Sequence, residues 1–334
     1  EHTMEKVTIK DIAREAGVSI STVSNALNGV DVLKPETKEH ILEVASRLQY
    51  IPNLNGRNLK SKSTNTIGFF VTSIQGPYFA TLADSMFWAC KRHGYEMNIF
   101  MTYGGKSAIN NILGRVVDGC VIFSEDVDDN DVEQILRMKV PTIFLDREVV
   151  EERASSVLFD SYRDGEIAAE YLISKGVTRP GHVQGILSHY DAKGRWNGFR
   201  DCFARHGIEI EPENVFEGKF QRETACKNTK QFLEEGQPLP EAFFAANDLS
   251  AIGCMDALLE AGCRIPEDVM VVGVDDIEQA SWYRPTLTTV KTGYEKISDV
   301  AIDKLVKMIN KEEEGELFRL HGQLIEREST GKTL

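Results

Sequence analysis

Residues 7–29 read VTIKDIAREAGVSISTVSNALNG, and this stretch carries the start and stop signals of two short helices. Thr8 followed by Asp11 is a variant of the capping box that opens a helix, and Gly17 supplies the positive φ that ends it. Ser19 is a preferred cap residue for a second helix within the same stretch. The sequence therefore predicts two helices joined by a tight turn.

A third helix is expected to begin at Pro35 and to be stopped by Pro52. The residues expected to face inward from it are Ile41, Leu42, Ala45 and Leu48. Three short helices with a glycine turn between the first two are typical of helix-turn-helix DNA readers. On spacing alone, the alternative is an unrelated helical bundle or a dimerisation element.

The residues themselves favour the DNA reader. Residues 7–29 closely resemble the signature of the lactose-repressor/galactose-repressor (LacI/GalR) family of bacterial transcription regulators, and residues 47–53, RLQYIPN, resemble the next block of that family. The resemblance implies that Ile20, Ser21 and Asn25 face base edges and that Thr22 and Ser24 contact phosphates. The full set expected to contact DNA is Thr8, Ser19, Ile20, Ser21, Thr22, Ser24, Asn25, Asn28, Tyr50, Asn53 and Leu59.

The side-chain chemistry of the second helix agrees with this assignment. Serine and asparagine hydrogen-bond to base edges, and Ile20 suits a thymine methyl group. Asn25 stands where many members of the family carry arginine. Because asparagine prefers adenine and arginine prefers guanine, the operator sequence does not carry over from the family.

Residues 54–63, LNGRNLKSKS, form a polar, basic linker with Leu59 near its middle. The resemblance makes residues 53–60 a hinge helix that folds on DNA, with Leu59 wedged into a minor-groove step. Gly56 replaces the alanine usual in the family and costs about 1 kcal/mol in a helix. The hinge is therefore expected to be weak without DNA, and the alternative is a flexible tether with a chance leucine.

Composition places the chain among ordinary soluble proteins, with 42% hydrophobic and 27% charged residues. No stretch approaches the roughly 18 apolar residues of a membrane helix, and the start lacks the apolar core of a secretory signal, so a cytoplasmic location is expected. Residues 1–64 hold nine Lys/Arg and eight Asp/Glu, so they carry +1 of the net charge of −14 and the remainder carries −15. The six cysteines form no C-x-x-C pair, and neither a metal nor a cofactor is expected.

Strand-like and helical segments alternate after residue 65. The predicted strands are 67–71, 95–100, 119–123, 141–145, 157–159, 182–187, 214–217, 242–246 and 269–274. The predicted helices lie near 78–93, 130–138, 162–175, 192–206, 221–235, 248–261 and 293–311. The alternation predicts an α/β fold with parallel sheets covered on both faces, in two lobes, and ligands in such folds bind beyond the carboxyl ends of the strands. The expected domains are 5–52, 53–64 and 65–334.

Polar residues follow several predicted strands, and aromatic residues lie in the matching loops. The polar residues are Asp146, Arg147, Asp160, Asn247, Asp248, Asp275 and Asp276, with Arg195 opening a helix. The aromatic residues are Tyr78, Phe79, Phe220, Trp282 and Tyr283. Bidentate polar groups beside aromatic platforms suit a polyhydroxyl ring. The alternatives are that Asp248 caps the following helix and that Asp160 serves the strand-to-helix turn.

Four segments of the large domain resemble the sensor domain of the same family, which is similar to periplasmic sugar-binding proteins of type I. They are GRWNGF at 194–199, FAAND at 244–248, VGVDD at 272–276 and PTLTTV at 285–290. The resemblance implies that Arg195, Asn247 and Asp275 hydrogen-bond the effector. It also implies that Phe220 stacks on the ring and that Arg147 belongs to sugar-type members. The chain is expected to cross between the lobes near 162, 292 and 320.

The full effector set is Tyr78, Phe79, Arg147, Asp160, Arg195, Phe220, Asn247, Asp275 and Trp282.

Nucleotide-binding glycine motifs, a nucleophile elbow and paired metal-ligand histidines are absent from the sequence, which argues against an enzyme. No leucine heptad follows Glu328, so a homodimer is expected. The sequence thus predicts a repressor of palindromic operator DNA controlled by a sugar or sugar phosphate. The alternatives are control by a protein co-regulator and a cytoplasmic solute-binding protein, and the carboxylates beside Arg147 argue against a purine effector.

Overall fold

The computed structural model describes residues 7–27, 32–50, 63–102, 104–114, 116–124 and 126–331. The chain divides into two compact units, residues 1–62 and residues 63–334.

Three helices make up the described part of the smaller unit. They are α1 (Ile9–Ala16), α2 (Ile20–Leu27) and α3 (Pro35–Arg47). The backbone N–H of Thr8 donates to the Asp11 carboxylate at 2.9 Å, and Gly17 has a φ of 68°. The Ser19 hydroxyl oxygen accepts from the backbone N–H of Thr22 at 3.1 Å. The capping and turn signals of the sequence therefore act as predicted.

Ile12, Val23 and Ile41 are completely buried where the three helices meet. The prediction that Leu42 faces inward is wrong, because its side chain is 43% exposed and Val44 is buried instead. With about 3.6 residues per turn, positions three and four after Ile41 return to the same face, whereas the next residue is turned about 100° away.

The larger unit contains two six-stranded sheets. The strands are β1 (Thr66–Val71), β2 (Glu96–Met101), β3 (Gly119–Phe123), β4 (Thr142–Phe144), β5 (Ala154–Phe159), β6 (Pro180–Gln184), β7 (Val215–Glu217), β8 (Ala242–Ala245), β9 (Met270–Asp275), β10 (Thr288–Lys291), β11 (Leu317–Leu320) and β12 (Gln323–Ile325). The first sheet has the order β11-β5-β4-β3-β1-β2 and the second β12-β10-β9-β8-β6-β7. All pairs are parallel except β10 with β12.

Helices cover these sheets. They are α4 (Gly76–Arg92), α5 (Gly105–Leu113), α6 (Asp129–Arg137), α7 (Ser161–Ser174), α8 (Tyr190–Arg205), α9 (Arg222–Glu234), α10 (Asp248–Glu260), α11 (Glu278–Trp282) and α12 (Tyr294–Ile309). All nine predicted strands are present, although the strand predicted at 182–187 ends at Gln184 and leaves Ile186 and Leu187 exposed. Strands β10, β11 and β12 and helices α5 and α11 were not predicted.

The chain passes between the two sheets three times, after Phe159, Lys291 and Leu320, at the positions that the resemblance implies. Each sheet with its helices is a lobe of the larger unit. The crossing segments that follow Phe159 and Leu320 are hydrogen-bonded to each other, since the backbone N–H of Asp160 donates to the Leu320 carbonyl at 2.8 Å. Strands β5 and β10 both end at a crossing, so their carboxyl ends open toward the boundary between the lobes.

His182, on β6, lies in the core of the second lobe among the rings of Trp196, Phe199 and Phe244. It is completely buried, and neither ring nitrogen has a hydrogen-bond partner. Burial lowers the pKa of His182 to about 3. An imidazole that stays neutral in the fold but takes a proton when unfolded destabilises the protein as the pH falls from about 6.5 toward 3.

We expect His182→Phe to stabilise the second lobe by roughly 1–3 kcal/mol at pH 7, because a buried polar ring without partners is replaced by an apolar ring of similar shape. At pH 5 the stabilisation by His182→Phe should be about 2 kcal/mol larger than at pH 7. Each pH unit below the pKa of the unfolded histidine destabilises the unmutated protein by about 1.4 kcal/mol. Urea unfolding followed by tryptophan fluorescence at both pH values measures this. As a control, His182→Ala leaves a cavity and should lower stability at pH 7 while removing the same acid sensitivity. If the pH dependence of the unfolding free energy were unchanged in both variants, His182 would not be the source of the acid sensitivity.

Candidate functional sites

Helix α2 presents a polar face outward from the smaller unit. Val23 and Ala26 are buried against the other helices, whereas Ile20 is 46% exposed and Ser21 is also exposed. Asn25 is half-buried at the edge of the outward face. This face therefore offers one apolar contact, a hydroxyl and an amide, which are groups that read base edges in a major groove.

A cluster of hydroxyl groups marks the first turn of α2. The Ser19 hydroxyl lies 2.7 Å from those of Ser21 and Thr22. The positive end of a helix beside hydroxyl donors favours a phosphate group. Ser24 is half-buried in the next turn, and Tyr50 packs beside the core of the unit.

The predicted contact residues Asn28, Asn53 and Leu59 lie outside the described residues, and so does the hinge helix predicted for residues 53–60.

Arg195, on α8, lies in the second lobe, where its side chain is almost fully buried and the residue is only 3% exposed. Its Nη1 atom donates to the Ala246 carbonyl at 2.7 Å, and its Nη2 atom lies 3.6 Å from Oδ1 of Asp275. Neither Nε of Arg195 nor Oδ1 of Asp275 has a hydrogen-bond partner. A buried ion pair that keeps an unused donor and an unused acceptor is suited to a polar ligand.

Asp275 ends strand β9 with a φ of 118°, a conformation that costs a non-glycine residue on the order of 1–3 kcal/mol. Burial raises the pKa of Asp275 well above its ordinary value, and the Arg195 guanidinium opposes this increase. Such strain concentrates at binding sites, where the surrounding structure holds a side chain in a required direction.

Asn247 and Phe220 lie beside this pair. The Asn247 amide caps α10 by accepting from the Ser250 N–H at 2.9 Å, and it donates to the Phe220 carbonyl at 3.2 Å. The Phe220 ring stacks on His189 with centroids 5.8 Å apart. The prediction that Asp248 caps α10 is wrong, because Asn247 occupies the cap position. Asp248 instead turns inward, and its carboxylate accepts from the Ile277 N–H at 2.9 Å and the Thr289 hydroxyl at 2.6 Å.

The first lobe contributes Tyr78 and Phe79 from the start of α4, with ring centroids 5.4 Å apart. Burial, followed by the negative charges of Asp191 and Asp275, raises the pKa of Tyr78 well above its ordinary value. The Tyr78 hydroxyl of one lobe therefore shares its surroundings with carboxylates of the other. The larger unit thus brings Tyr78, Arg195 and Asp275 together at the boundary between its lobes.

Sequence reasoning missed two carboxylates of this cluster. Asp164 on α7 accepts from the Gly322 N–H at 3.1 Å through Oδ1, whereas its Oδ2 is buried without a partner. Burial raises the pKa of Asp164 to about 7. Asp191 on α8 accepts from the Ser161 hydroxyl at 2.8 Å. The available signal was the spacing of four residues that places Asp191 on the same helix face as Arg195.

Three predicted effector residues make other contacts. The Arg147 guanidinium binds the Asp146 carboxylate through two 3.0 Å contacts and donates to two backbone carbonyls of the first lobe. Asp160 accepts from the Arg163 N–H at 3.1 Å and so caps α7, as the alternative interpretation held. Trp282, at the end of α11, is 57% exposed. Their assignment to the effector site stays a prediction.

No group of three or more His, Cys, Asp or Glu side chains in the described ranges is placed to hold a metal ion. None of the helices described is long and apolar enough to span a bilayer. All six cysteines are free thiols.

A helix-turn-helix head and a two-lobed α/β domain define a DNA-binding transcription regulator. Residues 8–53 match the model of bacterial regulatory proteins, lacI family, and residues 169–330 match a periplasmic binding protein-like domain. The chain is 31% identical over 333 residues to the HTH-type transcriptional repressor PurR of Pasteurella multocida (strain Pm70), covering 98% of this chain and 99% of that protein. The chain belongs to the LacI family of bacterial regulators.

Solved structures agree with this family. The Lac repressor dimer bound to operator and an anti-inducer has a TM-score of 0.81 at 27% identity, covering 98% of this chain and 99% of that one. The transcriptional regulator CelR in complex with cellobiose has a TM-score of 0.73 at 27% identity, covering 97% and 99%. The two-sheet architecture and the N-terminal helices are therefore those of the family.

Proposed function

We propose that the chain represses carbohydrate-utilisation genes as a homodimer whose affinity for palindromic operator DNA is controlled by a small sugar. In this proposal residues 5–52 read DNA, residues 53–64 form the hinge and residues 65–334 bind the effector and dimerise. The protein acts in the cytoplasm, where the operator is. The observation that carries the proposal is the buried cluster of Arg195, Asp275 and Asp164 at the boundary between the lobes.

Each member of this cluster keeps one buried polar atom without a hydrogen-bond partner: Nε of Arg195, Oδ1 of Asp275 and Oδ2 of Asp164. Leaving such an atom unpaired costs roughly 1–3 kcal/mol, and more when the group is charged. A ligand that supplies hydroxyl groups recovers this free energy, because a hydroxyl both donates and accepts. Tyr78 lies within electrostatic range of the cluster, and Phe220, whose ring stacks on His189, is hydrogen-bonded through its carbonyl to Asn247. Aromatic rings of this kind suit the apolar face of a sugar.

Among the solved relatives, CelR holds cellobiose, which supports a saccharide as effector. For the DNA side, the proposed base contacts are Ile20, Ser21 and Asn25, and the proposed phosphate contacts are Thr22 and Ser24.

The dimer is supported by an apolar surface on the first lobe. Phe87 and Trp88 on α4 are exposed, as are Ile99 and Met101 on the edge strand β2. Exposed apolar side chains grouped on one helix and one sheet edge are typical of a protein interface. The solved Lac repressor is a dimer on its operator, and two-fold symmetry of a dimer matches a palindromic site.

Control of DNA binding requires the effector to prefer one arrangement of the lobes. The proposed binding site draws on both lobes, since Tyr78 comes from the first lobe and the cluster residue Arg195 comes from the second. A ligand that binds both of these residues changes the relative stability of the open and closed arrangements, and the three crossing segments transmit the change. By linkage, operator DNA must alter effector affinity by the same factor that the effector alters operator affinity.

A thermal-shift screen of mono- and disaccharides with the full chain tests this proposal. A true effector at about 100 times its Kd should stabilise the larger unit by about 2.7 kcal/mol, and thus raise its Tm by roughly 5–10 °C. Adding an operator duplex should change that shift, because the two affinities are linked. Glycerol at equal concentration controls for general solvent effects. If no saccharide raises the Tm or changes operator affinity, the sugar-effector proposal is wrong.

A further inference from the structure

The effector cluster is rich in carboxyl groups. Asp164, Asp191 and Asp275 surround one guanidinium, that of Arg195, and the four groups influence one another electrostatically. Among the described residues of the cluster, three carboxyl groups thus face a single permanent cation.

Three other arginines, one predicted for the effector site and two with contacts beside Asp191 or Asp275, are already paired with carboxylates of their own. Arg147 binds Asp146 at 3.0 Å. Arg319, which also donates to the Tyr190 hydroxyl beside Asp191, binds Glu148 at 2.7 Å. Arg327 binds Asp276, the neighbour of Asp275, at 2.6 Å. A ligand with a negative charge would have to break one of these pairs or rely on Arg195 alone.

The unpaired atoms give the hydrogen-bonding pattern that a ligand must match. Two acceptors, Oδ1 of Asp275 and Oδ2 of Asp164, need donors, whereas one donor, Nε of Arg195, needs an acceptor. A phosphate or carboxylate supplies acceptors only, so it would satisfy Arg195 but leave Oδ1 of Asp275 and Oδ2 of Asp164 without hydrogen-bond donors beside a new negative charge. Two hydroxyl groups satisfy all three atoms, because each donates and accepts.

The geometry points to an uncharged saccharide as the effector of this site, and to rejection of phosphorylated sugars and uronic acids. This inference rests on the proposed function, because it assumes that the cluster binds a sugar. The protonation behaviour of the site agrees with it. Burial raises the pKa values of both Asp164 and Asp275, which means that this desolvated site disfavours anionic groups.

Matched ligand pairs test the inference on the full chain by isothermal titration calorimetry at pH 7.5. Suitable sets are glucose with glucose 6-phosphate and glucuronate, galactose with galactose 6-phosphate and galacturonate, and fructose with fructose 6-phosphate. We expect one neutral sugar to bind and its anionic counterparts to bind at least roughly 100-fold more weakly, because a like charge in a desolvated site is strongly repelled.

An anionic member that binds as tightly as its neutral counterpart overturns the inference while leaving a sugar-responsive regulator in place. Binding by no saccharide of any set, in calorimetry or in the thermal-shift screen, overturns the proposed function and this inference with it. The two failures are therefore distinguishable.

Asp164→Asn sharpens the test, since the amide keeps an oxygen for the Gly322 N–H and removes one negative charge. The ratio of anionic to neutral Kd should fall at least tenfold in this variant. Asp268→Asn is the matched control, because it removes the same charge from an exposed carboxylate before the amino end of β9, opposite to Asp275. An equal fall in both variants would mean that net charge, and not the site, sets the selectivity, and the inference would be wrong.

Discussion

Replacing Arg195 by alanine is expected to weaken effector binding by roughly 30-fold to several thousandfold. The guanidinium is 3% exposed, donates to the Ala246 carbonyl and lies 3.6 Å from the Asp275 carboxylate. Its removal leaves Asp275 buried without a cation, beside Asp164. Truncating one partner of a buried charge pair costs about 2–5 kcal/mol, and each 1.4 kcal/mol is a factor of ten in Kd.

Calorimetry with the saccharide found in the thermal-shift screen measures this loss. Operator affinity without effector, followed by fluorescence anisotropy, should stay close to that of the unmutated protein, and added sugar should no longer change it. If Arg195→Ala binds every candidate sugar as well as the unmutated protein does, the assignment of the pocket is wrong.

A structural defect is separable from a binding defect. Arg195→Ala alone should lower the Tm of the larger unit, since it leaves an unpaired buried carboxylate. The double variant Arg195→Met with Asp275→Asn removes both charges and should recover most of that stability, because a buried pair replaced by neutral groups of similar size is often neutral. Sugar binding should not recover. Recovery of both properties would show that neither side chain contacts the effector.

The smaller unit was predictable because its signals are local. Thr8 with Asp11, Gly17 and Ser19 each act within one helical turn, and the structure shows each of them at its expected cap or turn. Leu42 shows the limit of this approach. Residues on the buried face of a helix are three or four positions apart. Val44 lies three positions after the buried Ile41 and meets this requirement, whereas Leu42 lies only one position after it.

In the larger unit, seven of the nine predicted strands lie inside the sheets and read as apolar runs, whereas the predicted strands β2 and β7 lie at sheet edges. Strand β10 reads TTVK and carries a buried row of threonines, so its sequence gives no apolar signal. Strands β11 and β12 have only four and three residues, so they leave little periodic pattern to detect in the sequence.

Ligands in α/β folds bind beyond the carboxyl ends of parallel strands, and this rule placed Arg195, Asn247 and Asp275 in the predicted site. It did not bring in Asp164 and Asp191, because an acidic residue in the first turn of a helix has an ordinary role at the positive end of the dipole.

Only the close crossing of α7 and α8 places Asp164 beside Arg195, whereas Asp191 lies one turn before Arg195 on the same helix. That crossing depends on glycine, since a Cβ atom on Gly165 would lie 2.1 Å from the Arg195 carbonyl oxygen and one on Gly198 would lie 1.9 Å from that of Tyr162. Contacts between elements distant in sequence leave no local pattern, so the full charge of the site emerges only from the fold.

Replacing Ser21 and Asn25 together by alanine is expected to abolish most discrimination between operator and scrambled DNA. Each good base contact is worth about 1–3 kcal/mol, so the two together account for roughly 30-fold to ten-thousandfold in the specificity ratio. Neither side chain is buried, so helix α2 should keep its packing through Val23 and Ala26. The operator is first selected with the unmutated protein from a pool of random palindromic duplexes.

Anisotropy titrations against operator and scrambled duplexes over a range of salt concentrations separate the two kinds of contact. Loss of base contacts should lower operator affinity without changing the salt dependence, whereas Thr22→Ala with Ser24→Ala, the matched control, should weaken both duplexes similarly. Asn25→Arg should move the preference at one half-site position from adenine toward guanine. A double alanine variant that keeps the operator preference would show that another element of the chain reads the bases.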